Sequence, residues 1–172
     1  MTTTAAIGFI GIGTMGYPMA VNLMTKGYPV IAFDVNPQSL DALVKAGAVA
    51  ATSVQEVCNQ ARVVFTSLPS PDVFTEVMVG KNGIHTGSAV KIAVDLSTVG
   101  PRSTKAAASA LRERGIDLLD APVSGGPSGA HQGTLTVMVA GVESALDETR
   151  PLLEVFGKVF TVGQEAGQAQ LL

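Results

Sequence analysis

The chain has 172 residues, 47% of them hydrophobic and 15% charged, with a formal net charge of −3 and a sequence pI of about 5.3. This length and composition fit one ordinary globular domain. No run of Lys or Arg stands out, which argues against a nucleic-acid or anionic-membrane partner, and no apolar stretch is long enough to span a membrane.

The first residues and the cysteine count favour the cytoplasm. Residues 1–6, with the sequence MTTTAA, lack the basic segment that begins a secretory signal. Cys58 is the only cysteine, so no intrachain disulfide forms, and a reducing compartment is the natural one. The surrounding pattern is helical, and no histidine lies close in sequence. We therefore expect Cys58 to be buried and inert.

Short apolar runs alternate with helical patterns along the chain. The runs cover residues 5–10, 30–33, 63–66, 90–94, 118–119 with their neighbours, 135–140 and 159–162. Continuous apolar runs of this length suit strands that are buried on both faces, as in a parallel sheet. The alternation predicts an α/β fold with a doubly wound, mostly parallel sheet over residues 1–164.

Several of the helical segments begin with residues that commonly cap helices. The candidate starts are Asn36 before Pro37, Ser53 three residues before Glu56, Ser70 before Pro71, and Pro101 before an Ala-rich stretch from Arg102 to Arg114 that Gly115 closes. These local signals place helices between the predicted strands, as a doubly wound sheet requires.

The first predicted strand runs into a glycine-rich turn with the spacing G-x-G-x-x-G, followed by a helical stretch from Thr14 to about Lys26. Gly11 permits the tight turn, Gly13 lets the backbone approach a pyrophosphate, and Gly16 allows close packing of helix on strand. The pyrophosphate would bind the free N–H groups at the helix N-terminus. A glycine-rich turn without ligand is the alternative. The candidate cofactor residues of this turn are Gly11, Ile12, Gly13, Thr14, Met15 and Gly16.

Asp34 strengthens the prediction of a Rossmann-type dinucleotide site. It ends the second predicted strand, 34 − 16 = 18 residues after Gly16, where an acidic side chain accepts hydrogen bonds from the adenosine ribose. Val35 and Asn36 follow it as further candidate contacts. No arginine within residues 35–37 would neutralise a 2′-phosphate, so NAD is favoured over NADP. The alternative for Asp34 is a turn or cap residue before α-helical residues 37 onward.

Four ordered motifs extend this pattern over nearly the whole chain. They are Phe9–Gly16, Ser67-Leu68-Pro69, Asp95-Leu96-Ser97-Thr98 followed by Pro101, and Asp120-Ala121-Pro122-Val123-Ser124-Gly125-Gly126 continuing to Gly133-Thr134-Leu135. With these motifs in this order, the chain resembles the β-hydroxyacid dehydrogenase family. That family includes 3-hydroxyisobutyrate dehydrogenase, tartronate semialdehyde reductase and 6-phosphogluconate dehydrogenase.

The resemblance implies further cofactor contacts at the carboxyl edge of the sheet. It places Leu68 and Pro69 along the cofactor, Val73 near the adenosine, and the Thr98 hydroxyl against the nicotinamide carboxamide. A plain strand-to-helix turn is the alternative for Val73. A hydroxyl-stabilised turn before Pro101 is the alternative for Thr98, and both roles are compatible.

The segment Ser124-Gly125-Gly126 is the candidate substrate site. Two glycines free the backbone to turn sharply and present N–H groups to an anion, and Ser124 adds a hydroxyl donor. The resemblance implies that this segment binds the carboxylate of a small 3-hydroxy acid. A loop that serves only the fold is the alternative.

No catalytic residue is expected within the chain, and no metal site. The six lysines lie outside any catalytic context of the family, with Lys105 on a solvent-facing helix, and we expect His85 and His131 in surface or loop positions. Residues 165–172 look like the start of an interdomain helix, cut short. The resemblance places the catalytic lysine just after Leu172, followed by an all-helical domain that supplies homo-oligomer contacts. We therefore expect the 172-residue chain alone to be inactive.

Three functional hypotheses remain open from sequence. The first is NAD-dependent oxidation of a small 3-hydroxy acid, or reduction of its semialdehyde, by the full-length parent. The second is an NADPH-dependent semialdehyde or glyoxylate reductase of the same family, against which Asp34 argues. The third is a non-catalytic module that binds a cofactor or a partner.

Overall fold

The computed structural model describes residues 5–172, so residues 1–4 of the N-terminal segment considered above lie outside the described part. One sheet with helices on both faces forms the fold. Its strands are β1 (Ile7–Ile10), β2 (Val30–Phe33), β3 (Val49–Ala50), β4 (Val63–Thr66), β5 (Ile92–Asp95), β6 (Asp117–Asp120), β7 (Val123–Ser124), β8 (Leu135–Ala140) and β9 (Gly157–Gly163). Its helices are α1 (Gly16–Thr25), α2 (Pro37–Lys45), α3 (Val54–Gln60), α4 (Pro71–Val79), α5 (Pro101–Arg112), α6 (Gly126–Gln132) and α7 (Glu143–Phe156).

The strand order is β3-β2-β1-β4-β5-β6-β8-β7, with β9 on the free side of β8. All pairs from β3 to β6 are parallel, and the order reverses between β1 and β4. Open α/β sheets bind ligands at such a reversal, outside the carboxyl ends of the strands. β8 runs antiparallel to β6 and β7, and β9 runs parallel to β8. The mostly parallel, doubly wound α/β prediction is confirmed.

Side-chain alternation along the strands divides the hydrophobic interior into two cores. In β1, Phe9 points into the core under α1 and α7, whereas Ile10 points into the core under α3, α4 and α5. Phe65 of β4 stacks on Phe9 and meets Phe156 of α7 edge-on, with ring centroids 5.3 Å apart. Because both faces are covered, the central strands are apolar on both sides, which explains their continuous apolar runs.

The predicted helix caps form as expected. The Asn36 side chain accepts a hydrogen bond from Gln38 N at 3.0 Å, and the Ser70 hydroxyl accepts one from Val73 N at 3.2 Å. Ser53 caps α3 in the same way, accepting from Glu56 N. The capping box is only half formed, because the Glu56 carboxylate binds the N–H and hydroxyl of Thr52 instead of returning to Ser53.

Several boundaries differ from the sequence predictions. Helix α1 begins at Gly16 instead of Thr14, so the preceding residues form a turn. His131, predicted at the surface or in a loop, is exposed, but it lies on helix α6. The end of this helix is held by Asn22 Nδ2, which donates to Ala130 O at 2.8 Å. Helix α7 was not singled out, because no side-chain cap marks its start. The predicted helix at residues 165–172 is a single 3-10 turn over Ala169–Leu171.

Candidate functional site

A cleft of about 820 Å³ opens at the carboxyl ends of β1, β2 and β4, where the strand order reverses. It gathers most of the predicted cofactor residues. Those that line it are Gly11, Gly13, Thr14, Met15, Asp34, Val35, Leu68, Pro69 and Val73. Ile12 and Gly16 are buried within the turn, and Asn36 caps α2, so these three shape the cleft without lining it. Thr98 and residues 124–126 lie outside its lining.

The three glycines of the turn have different surroundings, as the motif predicts. Gly11 has φ +94°, and a Cβ there would lie 2.1 Å from the carbonyl oxygen of Ser67. A Cβ on Gly16 would lie 2.0 Å from the carbonyl oxygen of Gly11. A Cβ on Gly13, by contrast, would meet nothing within 4 Å. Gly11 and Gly16 are therefore required by the fold itself, whereas Gly13 lines the cleft and a Cβ there would meet only open space.

Asp34 joins the second strand to the phosphate-binding turn. Its Oδ2 accepts a hydrogen bond from Ile12 N at 2.5 Å, and its Oδ1 accepts one from Asn36 N at 2.7 Å. Asp34 thus organises the turn before α2, as the structural alternative predicts. A carboxylate has about four lone-pair positions, so two backbone bonds leave acceptor capacity for ribose hydroxyls. The two roles are compatible.

The rest of the cleft wall was missed by sequence reasoning. Apart from Ile10, Phe33 and Ser67 at the strand ends, it comes from α3, α4 and the turn after α4, and consists of Val54, Asp72, Glu76, Val77, Lys81, Asn82 and Gly83. The spacing of Asp72, Val73, Glu76 and Val77 follows one face of α4, and that helix starts at the carboxyl end of a strand. This combination is a signal that the sequence did contain.

The cleft combines an apolar surface with an excess of negative charge. Val35 is 88% exposed and Val73 is 40% exposed, so both present apolar surface that a flat ring could cover. Among the lining residues, Asp34, Asp72 and Glu76 are acidic and Lys81 is the cation.

The predicted substrate segment forms a turn that leads into α6. Gly125 and Gly126 have φ values of +135° and +66°, backbone conformations that residues with a side chain rarely adopt. A Cβ on Gly126 would meet nothing within 4 Å, and Ser124 is exposed. Positive φ at both positions explains why glycine stands there, and the segment is exposed outside the lining of the cleft.

A buried polar cluster lies beneath the carboxyl edge next to the cleft. Asp95 Oδ1 accepts hydrogen bonds from Thr66 Oγ1 and Ser97 Oγ, both at 2.7 Å. Ser97 Oγ in turn accepts a hydrogen bond from Leu68 N at 2.7 Å. The cluster therefore links the predicted cofactor loop at Leu68 to the end of β5.

Burial raises the pKa of Asp95 to about 6, against the opposing effect of its hydrogen bonds from Ser97 and Thr66. Asp120 pairs with Asp95 across β5 and β6, and burial raises its pKa as well. Asp95 Oδ2 and Asp120 Oδ1 are buried and have no hydrogen-bond partner among the described residues. Both aspartates stand in the sequence motifs, but the sequence analysis did not select them as site residues, although each ends an apolar strand.

Cys58 and Lys105 lie in the surroundings that the sequence predicts. Cys58 is fully buried in α3, and burial raises its pKa to about 12, so it is an unreactive thiol. Lys105 is exposed on α5. Within residues 5–172, no group of three or more His, Cys, Asp and Glu side chains is arranged to bind a metal, and no helix is long and apolar enough to cross a membrane.

A family model described as the NAD binding domain of 6-phosphogluconate dehydrogenase matches residues 6–163. The chain belongs to this family. The predicted resemblance to β-hydroxyacid dehydrogenases is confirmed, and the domain is one that binds a nicotinamide cofactor.

Relatives of this NAD-binding domain include complete dehydrogenases. The chain is 43% identical to 2-(hydroxymethyl)glutarate dehydrogenase of Eubacterium barkeri, over 98% of this chain and 57% of the relative. It superposes on Mycobacterium tuberculosis 3-hydroxyisobutyrate dehydrogenase with L-serine at a TM-score of 0.92 and 33% identity, over 98% of this chain and 57% of that one. Psf3 in complex with NADP⁺ and 2-OPP superposes with a TM-score of 0.89 and 33% identity, over 96% of this chain and 59% of that one. The chain thus spans less than two thirds of the length of these relatives.

Proposed function

We propose that the chain binds NAD in the cleft and is the cofactor domain of a dehydrogenase that acts on a small 3-hydroxy acid or its semialdehyde. The observation that carries the proposal is the contrast between the three glycines of the turn. Side chains at Gly11 and Gly16 would strike backbone, whereas one at Gly13 would enter only the open cleft. A backbone bare on the ligand side is what close approach to a pyrophosphate requires.

The charge of the cleft favours NAD over NADP. Asp34 has free acceptor capacity for the ribose hydroxyls, and Asp72 and Glu76 add negative charge to the same cleft. Lys81 is the counter-charge among the lining residues, and no arginine lines the cleft. A 2′-phosphate would therefore meet net repulsion and lack a bidentate partner. Because a relative has been solved with NADP⁺, the preference of this chain for NAD over NADP needs to be measured directly.

The names of the relatives suggest the substrate class. 2-(Hydroxymethyl)glutarate, 3-hydroxyisobutyrate and L-serine each carry a hydroxymethyl group on the carbon next to a carboxylate. We propose the same chemical unit for the substrate of this protein. The Ser124 hydroxyl and the backbone of Gly125 and Gly126 would bind the carboxylate, because this exposed turn presents donors and no side-chain bulk.

The chemistry divides between this domain and residues outside it. Oxidation moves a hydride from the hydroxyl-bearing carbon to the nicotinamide, and the hydroxyl proton passes to a base. The residues of the cleft orient the cofactor. The acidic residues among them lie toward the adenosine end of the cofactor, so they do not act as the base for the hydroxyl proton. We propose that the base is a lysine immediately after Leu172 in a longer parent chain, within a helical domain that also closes the site and forms the homo-oligomer. The cytoplasmic location stays a prediction.

Calorimetry with the 172-residue chain tests the cofactor assignment. We expect NADH to bind more tightly than NADPH, and ADP-ribose to retain much of the NADH affinity because it keeps the pyrophosphate and the adenosine. Tighter binding of NADPH would favour the NADPH-linked reductase. Failure of both cofactors to bind would contradict the proposal.

A second experiment tests the division of the chemistry. NADH formation is followed with 3-hydroxyisobutyrate and L-serine, using the 172-residue chain and a longer parent side by side. We expect activity only in the parent, and loss of that activity when the first lysine after Leu172 is changed to alanine. Turnover by the 172-residue chain would place the base within it. A parent that binds NADH but oxidises no 3-hydroxy acid would favour a non-catalytic module.

A further inference from the structure

The side chain of Gln170 reaches across the carboxyl edge and binds the loop that follows β5. Its Oε1 accepts hydrogen bonds from Val99 N and Gly100 N, both at 3.0 Å. Its Nε2 donates to Ser97 O at 3.1 Å. One amide therefore satisfies three backbone groups of residues 97–100, some seventy positions away in the sequence.

The backbone of the loop before α5 depends on this distant amide. α5 begins at Pro101, and Gly100, with φ +88°, has no side chain that could bind nearby N–H groups. Partly buried N–H groups without a partner are costly. Gln170 therefore supplies, from another part of the fold, the acceptor for the N–H groups of Val99 and Gly100.

Gln170 is itself held in place through its backbone. Its N–H donates to Asp120 Oδ2 at 3.2 Å, and Asp120 is buried at the end of β6. The backbone of the 3-10 turn Ala169–Leu171 is thus bound to the sheet, and the side chain of Gln170 binds the loop of residues 97–100.

The loop of residues 97–100 also contacts a residue of the cofactor cleft. The Ser97 carbonyl accepts a hydrogen bond from Gln170 Nε2, and its hydroxyl accepts one from the N–H of Leu68, a residue that lines the cleft. Thr98, the next residue, is exposed, and it is the residue proposed to meet the nicotinamide carboxamide. A displacement of this loop would move Thr98 without disturbing the adenosine side of the cleft.

We propose that Gln170 is a positioning residue that holds residues 97–100 so that Thr98 meets the nicotinamide end of the cofactor. This inference rests on the proposed function, since it assumes that a nicotinamide dinucleotide occupies the cleft. Its specific content is that the loss of the Gln170 amide weakens the nicotinamide end of binding and spares the adenosine end.

The test compares Gln170→Met with Gln168→Met in the 172-residue chain. Methionine keeps the length of glutamine but removes both hydrogen-bonding groups. Gln168 is the matched control, because its amide oxygen binds only Glu165 N within its own segment. Kd values for NADH and for ADP-ribose are measured by calorimetry, and amide exchange at Val99 and Gly100 is followed by NMR.

We expect Gln170→Met to weaken NADH by about five- to twentyfold, as the loss of these hydrogen bonds implies, and to leave ADP-ribose unchanged. Exchange at Val99 and Gly100 should be faster by about tenfold in this variant alone. Gln170→Asn, whose amide is one methylene too short, should behave in the same way. Gln168→Met should match the wild type in both measurements.

If Gln170→Met binds NADH as tightly as the wild type, this inference alone is overturned. Equal weakening of NADH and ADP-ribose binding in Gln170→Met, or weaker NADH binding in Gln168→Met as well, would also overturn it, since either result shows a general loss of structure. A wild-type chain that binds neither ligand would overturn the proposed function together with this inference.

Discussion

The carboxylate of Asp34 accepts a hydrogen bond of 2.5 Å from the backbone N–H of Ile12. This bond ties the end of β2, where the ribose would lie, to the turn that would hold the pyrophosphate. The same carboxylate accepts a second bond from Asn36 N. One side chain therefore shapes two adjacent parts of the proposed cofactor site.

Replacing Asp34 should affect both stability and cofactor choice. Asp34→Ala leaves the N–H groups of Ile12 and Asn36 without their acceptor, which should cost about 1–3 kcal/mol of unfolding free energy. NADH should bind more weakly, and the gap between NADH and NADPH should narrow as negative charge is lost. Urea unfolding and calorimetry measure the two effects. Asp41→Asn, an exposed change on α2, is the control. An unaltered NADH to NADPH ratio in Asp34→Ala would show that this carboxylate does not select the cofactor.

Gly13→Val should abolish dinucleotide binding and leave the fold intact. The new side chain would point into the open cleft, where it meets no protein atom and fills the proposed pyrophosphate position. Gly16→Ala is the contrasting variant, because its Cβ would lie 2.0 Å from Gly11 O and should destabilise the fold. Circular dichroism, thermal unfolding and calorimetry separate the two results. Normal NADH binding by Gly13→Val would move the phosphate site away from this turn.

The buried Asp95 should make stability depend on pH. Its pKa is raised to about 6 in the folded chain, whereas an unfolded aspartate titrates near 3.8. The folded state therefore holds the proton more strongly, and this contribution to stability is complete below about pH 4 and lost as the pH rises through 6. Asp120 changes in the same direction, because burial raises its pKa.

Asp95→Asn removes that titration. Urea unfolding at several pH values between 4 and 7 should therefore show the variant gaining stability relative to the wild type as the pH rises. Asp117→Asn, at the start of the neighbouring strand β6, controls for a general change of charge. Parallel curves for the wild type and Asp95→Asn would contradict the raised pKa.

Cys58 should react with a thiol reagent only when the chain unfolds. Its side chain is fully buried, and burial raises its pKa to about 12, so little thiolate is exposed at neutral pH. NADH at saturating concentration should slow the reaction further, because a ligand of the folded state lowers the unfolded population. Labelling with a chromogenic disulfide, with and without NADH, measures both effects. Rapid labelling of the folded chain would mean that α3 opens locally.

Much of the fold and part of the site could be predicted from the sequence, because those features depend on nearby residues. Asn36 and Ser70 cap helices with N–H groups only two or three residues away, and their spacing is visible in the chain. The glycine turn is equally local, since Gly11 and Gly16 approach each other within one turn of the backbone. The apolar strand runs follow from a sheet covered on both faces.

Other features were decided only by the tertiary structure. The face of α4 that carries Glu76 joins the cleft because β4 is placed next to β1, and no local pattern states that neighbour relation. Likewise, Gln170 meets Val99 and Asp120 only after distant strands have paired. Local backbone chemistry thus determined the turn, the caps and the strands, whereas contacts between distant segments depend on how the whole sheet packs. The physical reason is that hydrogen bonds and ion pairs require two groups to lie within a few ångströms in space, whatever their separation along the chain. Only the folded sheet brings distant segments that close.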